Sequence, residues 1–450
     1  TGLENYTVPL GLGKWITSVT MTIFYVLLYY VWRQRYQIKG KGILAAAVYA
    51  LAAARVVLCM MPQNQWLSAN APLSWGIYRN IPFALMGLLI IVLFYRSAKE
   101  NNDASFRWMW LTIVLSFGFY IPVVLWADVN PLIGMLMIPK TCAYVWTVLI
   151  GYNAMKAAGK LGIRAHLFPT LLDDQSRLEE LQTRYANNAL LSAPGFKQFF
   201  DGVSSEHTAY LTDPYTNPRF PGDQGRLTVP VERMRKLVLA AAERGHTVRI
   251  HVIGDGAIHA ALDIFEEAAE LYGLPQHGHN TLEHLENLLS EDIDRLRKLN
   301  VIASSQPCHI TLDPGGPERD LGLERSRIMW PFATYKQRGI RQAFGTDSPI
   351  TAVTSMNVLY TAITRQDPKS HWPEGGWLPS ERIDAATALR NYTLGSAYAA
   401  GDEQNLGSLE PGKYADLVVL DQNPLTIDPQ ELQATKVQAT YLAGNLIYER

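Results

Sequence analysis

The sequence predicts a multi-domain chain: an N-terminal all-α transmembrane bundle of about five helices, then an α/β segment forming a (β/α) barrel or most of one. Three observations carry that prediction. Only 18% of the 450 residues are charged, below the roughly 25% usual for soluble domains, and the shortfall sits at one end. Residues 1–155 hold 11 Lys and Arg against 4 Asp and Glu, although the whole chain nets −1. All ten histidines lie at or beyond His166. Long apolar runs fill the first third, whereas short β-like runs alternating with amphipathic helical stretches fill the rest. The three cysteines, Cys59, Cys142 and Cys308, are far apart and require no oxidising compartment.

The five apolar runs are Trp15–Trp32, Ile43–Met61, Ile77–Tyr95, Phe106–Ala127 and Leu132–Tyr152. A bilayer core about 30 Å thick needs around 20 mostly apolar helical residues, and each run meets or approaches that length. Trp15, Trp32, Tyr78, Tyr95, Trp108, Trp126 and Tyr152 stand at run edges, where amphipathic rings suit the headgroup zone. The cations follow the same plan. Arg33, Arg35, Lys39 and Lys41 crowd the first connection, Arg96, Lys99 and Arg107 mark the third, and Lys156, Lys160 and Arg164 follow the last run. The second connection has no charge and the fourth only Asp128. By the positive-inside rule, the N-terminus is outside and the segment after Tyr152 is cytoplasmic. The expected localisation is therefore a multi-pass membrane protein in contact with membrane lipid. Arg55, Arg79 and Lys140 lie within or near the spans with no acidic residue beside them, and Pro82, Pro122 and Pro139 kink their helices.

Beyond residue 156 the expected strands are Ile163–Phe168, Gly195–Phe200, Thr247–Ile253, Asn280–Glu283, Val301–Ser305 and Arg341–Thr346. Helical patterns at Pro230–Arg244, Ile258–Leu271 and Glu291–Leu299 lie between them. Strands separated by helices indicate βα units and a parallel sheet. Chemistry in such a barrel sits where strands end and loops begin. Those ends present Lys197 in GFKQFFDG, His251 in RIHVIGD, His284 in NTLEHLE and Asp347 in FGTDSP. Two imidazoles are nitrogen donors for a zinc-like cation, and carboxylates complete the shell or serve as base. His309 after the next strand is placed to contact substrate, as are Asp201 and Asp255. His277-Gly278-His279 has ligand-like spacing but reads as a polar loop before a strand.

The stretches GFKQFFDGVSSEHTAYLTDPY at 195–215, HVIGDGAIHAALDIFE at 251–266, LEHLE at 282–286 and GTDSPI at 345–350 resemble the metal-dependent amidohydrolase superfamily. The likeness is to amidohydrolase family 3, the YtcJ-like branch, and it includes TALRNYTLGSAYAAG at 387–401 and GSLEPGKYADLVVLDQNPL at 407–425. It covers about residues 155–450. The resemblance implies a TIM-like barrel, a small β-sandwich and hydrolysis of carbon–nitrogen bonds such as amides in a small-molecule substrate. It also implies roles: Lys197 as a carboxylated metal ligand, His251 and His284 as ligands, and Asp347 as ligand and general base. The cofactor expected is a divalent metal, zinc, as one or two ions.

The family's first-strand HxH pair has no counterpart, because residues 1–165 contain no histidine. The expectation is therefore an incomplete barrel holding strands 3–8, with a remnant C-terminal β-sandwich. The domains expected are 1–155, 156–400 and 401–450. Open barrel edges need covering, which suggests a homo-oligomer. The acidic soluble segment has no basic-aromatic stripe, so nucleic acid is not an expected partner. The alternative is a catalytically inactive remnant fused to a membrane domain, as a pseudo-enzyme, binding protein or gene-fusion product.

Overall fold

The structure, a computed structural model, describes residues 7–38, 42–68, 71–126, 131–157 and 162–450, without the side chains of 7–12, 131, 132, 134, 138 and 153–157. Lys39, Lys41, Asp128 and Lys160, and the side chain of Lys156, lie outside the described residues. The chain divides into two compact units, Thr1–Leu161 and Gly162–Arg450.

Among the described residues, unit 1 contains five long helices: α1 (Thr7–Arg35), α2 (Ile43–Met60), α3 (Leu73–Glu100), α4 (Met109–Trp126) and α5 (Met137–Ala157). Four are long and apolar enough to cross a membrane, namely Gly13–Arg35 of α1 and the whole of α2, α3 and α4. The expected fifth run, Leu132–Tyr152, starts later as a regular helix, because a short 3-10 segment occupies Pro131–Leu136. The interior is aromatic, with Tyr25, Tyr29, Trp32, Phe83, Phe94 and Phe106 buried together. Partners for the cations within these helices are rings and amides. The Arg55 guanidinium lies 3.4 Å from the Phe83 ring centre, Lys140 Nζ 4.2 Å from that of Tyr120, and Arg79 donates to Asn64 Oδ1 at 3.0 Å. A cation over a ring face recovers part of its lost hydration. At one end, Arg35 forms a two-pronged ion pair with Asp103, at 2.9 and 3.0 Å.

Unit 2 is built on parallel strands. β1 (Ala165–His166) pairs with β2 (Leu191–Ser192) as a separate two-stranded sheet. β3 (Gly195–Phe199), β4 (Thr247–Val252), β5 (Thr281–His284), β6 (Ile302–Ser305) and β7 (Gln342–Phe344) form one five-stranded sheet in sequence order. The connecting helices are amphipathic. After α6 (Ser176–Tyr185) come α7 (Val231–Glu243), α8 (Asp255–Tyr272) and α9 (Ile293–Lys298). On α8 the buried positions Ile258, Ala261, Leu262, Phe265 and Ala268 fall at helical spacing. Each fully buried Leu or Phe there contributes roughly 1.5–3 kcal/mol. They pack with Val248, Ile250 and Val252 of β4 in one core.

The expected six-stranded barrel is corrected to five sheet strands among the described residues. The run Ile163–Phe168 supplies only the two-residue strand β1, and its chain then meets β3 through a single bridge, Thr170 to Lys197. Pro169 has no N–H to continue a ladder; its carbonyl accepts from Lys197 N at 2.9 Å. The chain itself runs along both sheet edges. Leu171 N donates to Lys197 O at 2.8 Å on the β3 side, and Ser396 Oγ donates to Phe344 O at 2.9 Å on the β7 side. Gly395 lies so close to β7 that a Cβ there would stand 2.0 Å from Gln342 O.

The C-terminal strands β8 (Leu417–Leu420), β9 (Val437–Leu442) and β10 (Asn445–Glu449) form one antiparallel layer, ordered β10-β9-β8. The expected sandwich is thus a single three-stranded sheet among the described residues. Arg164 grips Asp416 at 2.8 and 3.0 Å, fastening the start of unit 2 to this layer.

Candidate metal centre

Strand register decides which side chains meet. Lys197 stands beside Arg249, Phe199 beside His251, and His251 beside Glu283. Side chains alternate across a strand, so these five share one face of the sheet, opposite Ile250 and Leu282. His284 would fall on the Leu282 face if alternation continued. It does not, because His284 (φ 75) and Leu285 (φ 48) both adopt left-handed backbone. Asp347, after β7, does the same (φ 51). Such conformations cost non-glycine residues on the order of 1–3 kcal/mol each and cluster at functional sites. Leu285 is held there by complete burial and by its N–H donating to Val252 O at 3.1 Å.

The result is a cavity of about 730 Å³ whose wall includes Lys197, His251, Glu283, His284, Glu286, His309 and Asp347. The rings of His251 and His284 are 4.4 Å apart, and those of His284 and His309 stack at 5.7 Å. His309 Nδ1 lies 3.4 Å from Glu286 Oε1, and its Nε2 3.8 Å from Asp347 Oδ2. His284 Nδ1 and His309 Nε2 are buried without a hydrogen-bond partner. Buried polar atoms are normally paired, so two orphaned imidazole nitrogens facing one cavity are the mark of a site built for a ligand. The donor set of imidazoles and carboxylates fits a divalent cation.

Electrostatics keep His251 and His284 neutral. Burial, helped by the nearby Lys197 charge, lowers His251 to about 4, against a hydrogen bond to Gly202 O that works the other way. Burial and the neighbouring His251 and His309 hold His284 far below the ordinary range. Burial raises the Asp347 carboxyl, partly offset by His309. Burial also works against ionised Glu283, but Lys197 and Arg249 outweigh it and keep this carboxylate below its usual range. Lys197 Nζ is ion-paired with Glu283 Oε2, and Arg249 Nη1 lies 3.2 Å from Glu283 Oε1.

Lys197, His251, His284, His309 and Asp347 therefore reach one cavity, whereas Asp201 and Asp255 are absent from its wall. Asp201 accepts the backbone N–H groups of Tyr210, Ile253 and Gly254 at 3.0, 3.0 and 2.8 Å. Burial pushes it up to about 7 despite those donors. Asp255 accepts from Thr212 N at 2.7 Å and from Thr212 Oγ1 at 3.1 Å, tying a loop to the start of α8. His279 lies 3.6 Å from Glu403, away from the cavity. Sequence reasoning missed Glu283 and Glu286. Their signal was present in LEHLE, where the two carboxylates flank His284, but they look like ordinary strand-end and loop acids until the register is known.

Residues 148–448 match the Amidohydrolase family. The Arabidopsis thaliana Protein LONG AFTER FAR-RED 3 is 32% identical over 300 residues, 66% of this chain and 50% of that protein. The putative amidohydrolase YtcJ of Bacillus subtilis (strain 168) is 29% identical over 303 residues, 66% of this chain and 55% of that protein. The crystal structure of an uncharacterized metal-dependent hydrolase from Pyrococcus horikoshii OT3 superposes with a TM-score of 0.54 at 27% identity, covering 63% of this chain and 55% of that one. The chain spans about half the length of the curated relatives it matches. A match over two-thirds of the chain establishes that the chain belongs to the amidohydrolase family.

Proposed function

We propose that unit 2 hydrolyses carbon–nitrogen bonds other than peptide bonds in a small amide-like substrate, in a metal-dependent reaction with Asp347 as proton acceptor. The observation that carries this reading is the convergence of His251, His284, His309 and Asp347 on one cavity. In the arrangement the family resemblance implies, Lys197, His251, His284 and Asp347 hold zinc. When bound, such an ion supplies Lewis acidity that polarises a carbonyl and acidifies water.

The protein's own residues supply the rest. Neutral His251 and His284 keep lone pairs free for donation. The raised Asp347 carboxyl moves toward the working range of a group that takes a proton from water and returns it to a leaving nitrogen. Phe199, Ile253, Leu312, Trp330 and Ile350 give the cavity apolar walls that exclude bulk water and receive an apolar substituent.

The test is hydrolysis of a panel of aryl amides and N-formyl amines by the full chain in detergent, with metal content measured in parallel. Asp347→Asn is expected to lower kcat by about 10²–10⁴-fold. Wild-type chain that turns over no member of the panel, with metal supplied, would count against the hydrolase reading. For unit 1, the cation-rich first and third connections support a multi-pass anchor with unit 2 on the cytoplasmic side. Cysteine labelling at positions 34 and 101 in intact cells checks this; labelling by a membrane-impermeant reagent would reverse the orientation.

A further inference from the structure

We infer that the charge-poor end of unit 1 holds a buried binding site for one small oxyanion, a phosphate or carboxylate group, formed by Arg55, Arg79 and Lys140. This site goes beyond the hydrolase reading of unit 2 and does not rest on it. Consecutive helices joined by short connections run antiparallel, so the ends of α2 and α4 meet the starts of α3 and α5 at one face of the bundle. Arg55 lies five residues before the end of α2, Arg79 six after the start of α3, and Lys140 three after the start of α5. At about 1.5 Å per residue, all three stand roughly 4–9 Å inside that end. Side-chain contacts agree with a shared layer. Arg55 Nη2 lies 3.4 Å from Asn80 Oδ1, Lys140 Nζ lies 4.2 Å from the Tyr120 ring centre, and the Arg55 and Lys140 charges are near enough to repel one another.

Among the described residues no carboxylate answers this charge. Of the four acidic residues in 1–155, Asp103 pairs with Arg35 and Glu100 closes α3, both at the opposite end, while Glu4 and Asp128 lie outside the described residues. Arg55 is 1% exposed and Lys140 5%, so protein encloses both. Arg55 Nε and Nη1 have no hydrogen-bond partner, although buried polar groups are normally paired. The Phe83 ring covers one face of the guanidinium and leaves its in-plane N–H donors unanswered. Ionisable residues inside a membrane bundle mark ligand or ion sites. The cations of the connections gather at the opposite end, so the rule that places those does not account for these. An oxyanion supplies both missing elements: a negative charge, and lone pairs for the planar donor array of an arginine.

The experiment is calorimetric titration of the full chain in a nonionic detergent, with inorganic phosphate in one arm and dihexanoyl phosphatidylglycerol in the other. One equivalent of at least one probe is expected to bind. Phosphate binding assigns a soluble oxyanion and binding of the lipid alone assigns a headgroup; either supports the site. Arg55→Met and Lys140→Met are each expected to weaken binding roughly thirtyfold or more. Arg107→Gln, which removes an exposed cation of the opposite end, is expected to change it by less than about twofold. The bound probe is also expected to raise the melting temperature of the wild-type chain, where chloride at equal ionic strength does not. Circular dichroism identifies any variant that does not fold, and the wild-type melting shift then decides. Binding of neither probe, binding undiminished in folded Met variants, or an equal melting shift with chloride would each overturn the assignment. None of these readouts uses amide turnover, so loss of the hydrolase reading would leave them unchanged.

Discussion

Glu283→Gln tests how the sheet's central charges are held. Glu283 receives Lys197 on one oxygen and Arg249 on the other, the latter at 3.2 Å. At an effective dielectric of 20, one such contact is worth about 5 kcal/mol before desolvation is subtracted. Removing one partner from a buried pair typically costs 3–5 kcal/mol, because a charge is stranded. The Lys197 and Glu283 side chains keep 20% and 16% exposure, so solvent screens part of the loss and the lower figure, about 3 kcal/mol, applies. That corresponds to a fall of roughly 6–12 °C in the melting temperature of unit 2. The assay is thermal unfolding of the full chain in detergent, with hydrogen exchange of β3 and β5 peptides to locate the loss. Adding Lys197→Met removes one of the two stranded cations and should restore about 1–2 kcal/mol, a non-additivity expected of contacting residues. A Glu283→Gln chain that melts at the wild-type temperature, or a double variant whose losses simply add, refutes the reasoning.

Three other outcomes are expected. His251, lowered to about 4 from an ordinary 6.5, binds fewer protons folded than unfolded. Its contribution is therefore intact above pH 6.5 and is lost between pH 6.5 and 4, by up to about 3 kcal/mol; denaturation at several pH values, with His251→Gln flattening the profile, checks this. Asp201→Ala strands three backbone N–H groups but also removes a carboxyl that burial disfavours. A net loss of about 3 kcal/mol is expected, visible as faster proteolysis of the 202–212 loop, and unchanged cleavage would discount the clamp. Gly254→Ala places a Cβ 2.0 Å from Tyr210 O, backbone that cannot step aside, so about 1–3 kcal/mol should be lost; an unaltered melt would contradict that packing.

The legible parts of the site were those whose position follows from strand periodicity alone. Lys197 and His251 lie within predicted strands and Asp347 just beyond one, and all three line the cavity. The boundaries of β3 to β6 fall within about two residues of expectation, because β-branched and apolar runs bounded by turn residues are a local signal. Glu283 was not legible as a partner of Lys197, since 86 residues separate them and only the β3-β4-β5 register brings them together. Asp201 illustrates the opposite failure. A carboxylate beside a candidate ligand reads as a substrate contact, yet its oxygens accept from three backbone donors of two later segments.

By itself the sequence determined the division of the chain into an apolar helical part and a βα part, the family, and the residue types available to a metal. Those follow from composition, period and motif, which are properties of neighbours along the chain. Tertiary structure alone decided that the run at 163–168 leaves the main sheet, that the chain lines its own sheet edges, and that Glu286 and His309 stand beside His284. Each depends on where separate segments cross, and on left-handed backbone at His284 and Leu285 that burial and long-range hydrogen bonds hold in place.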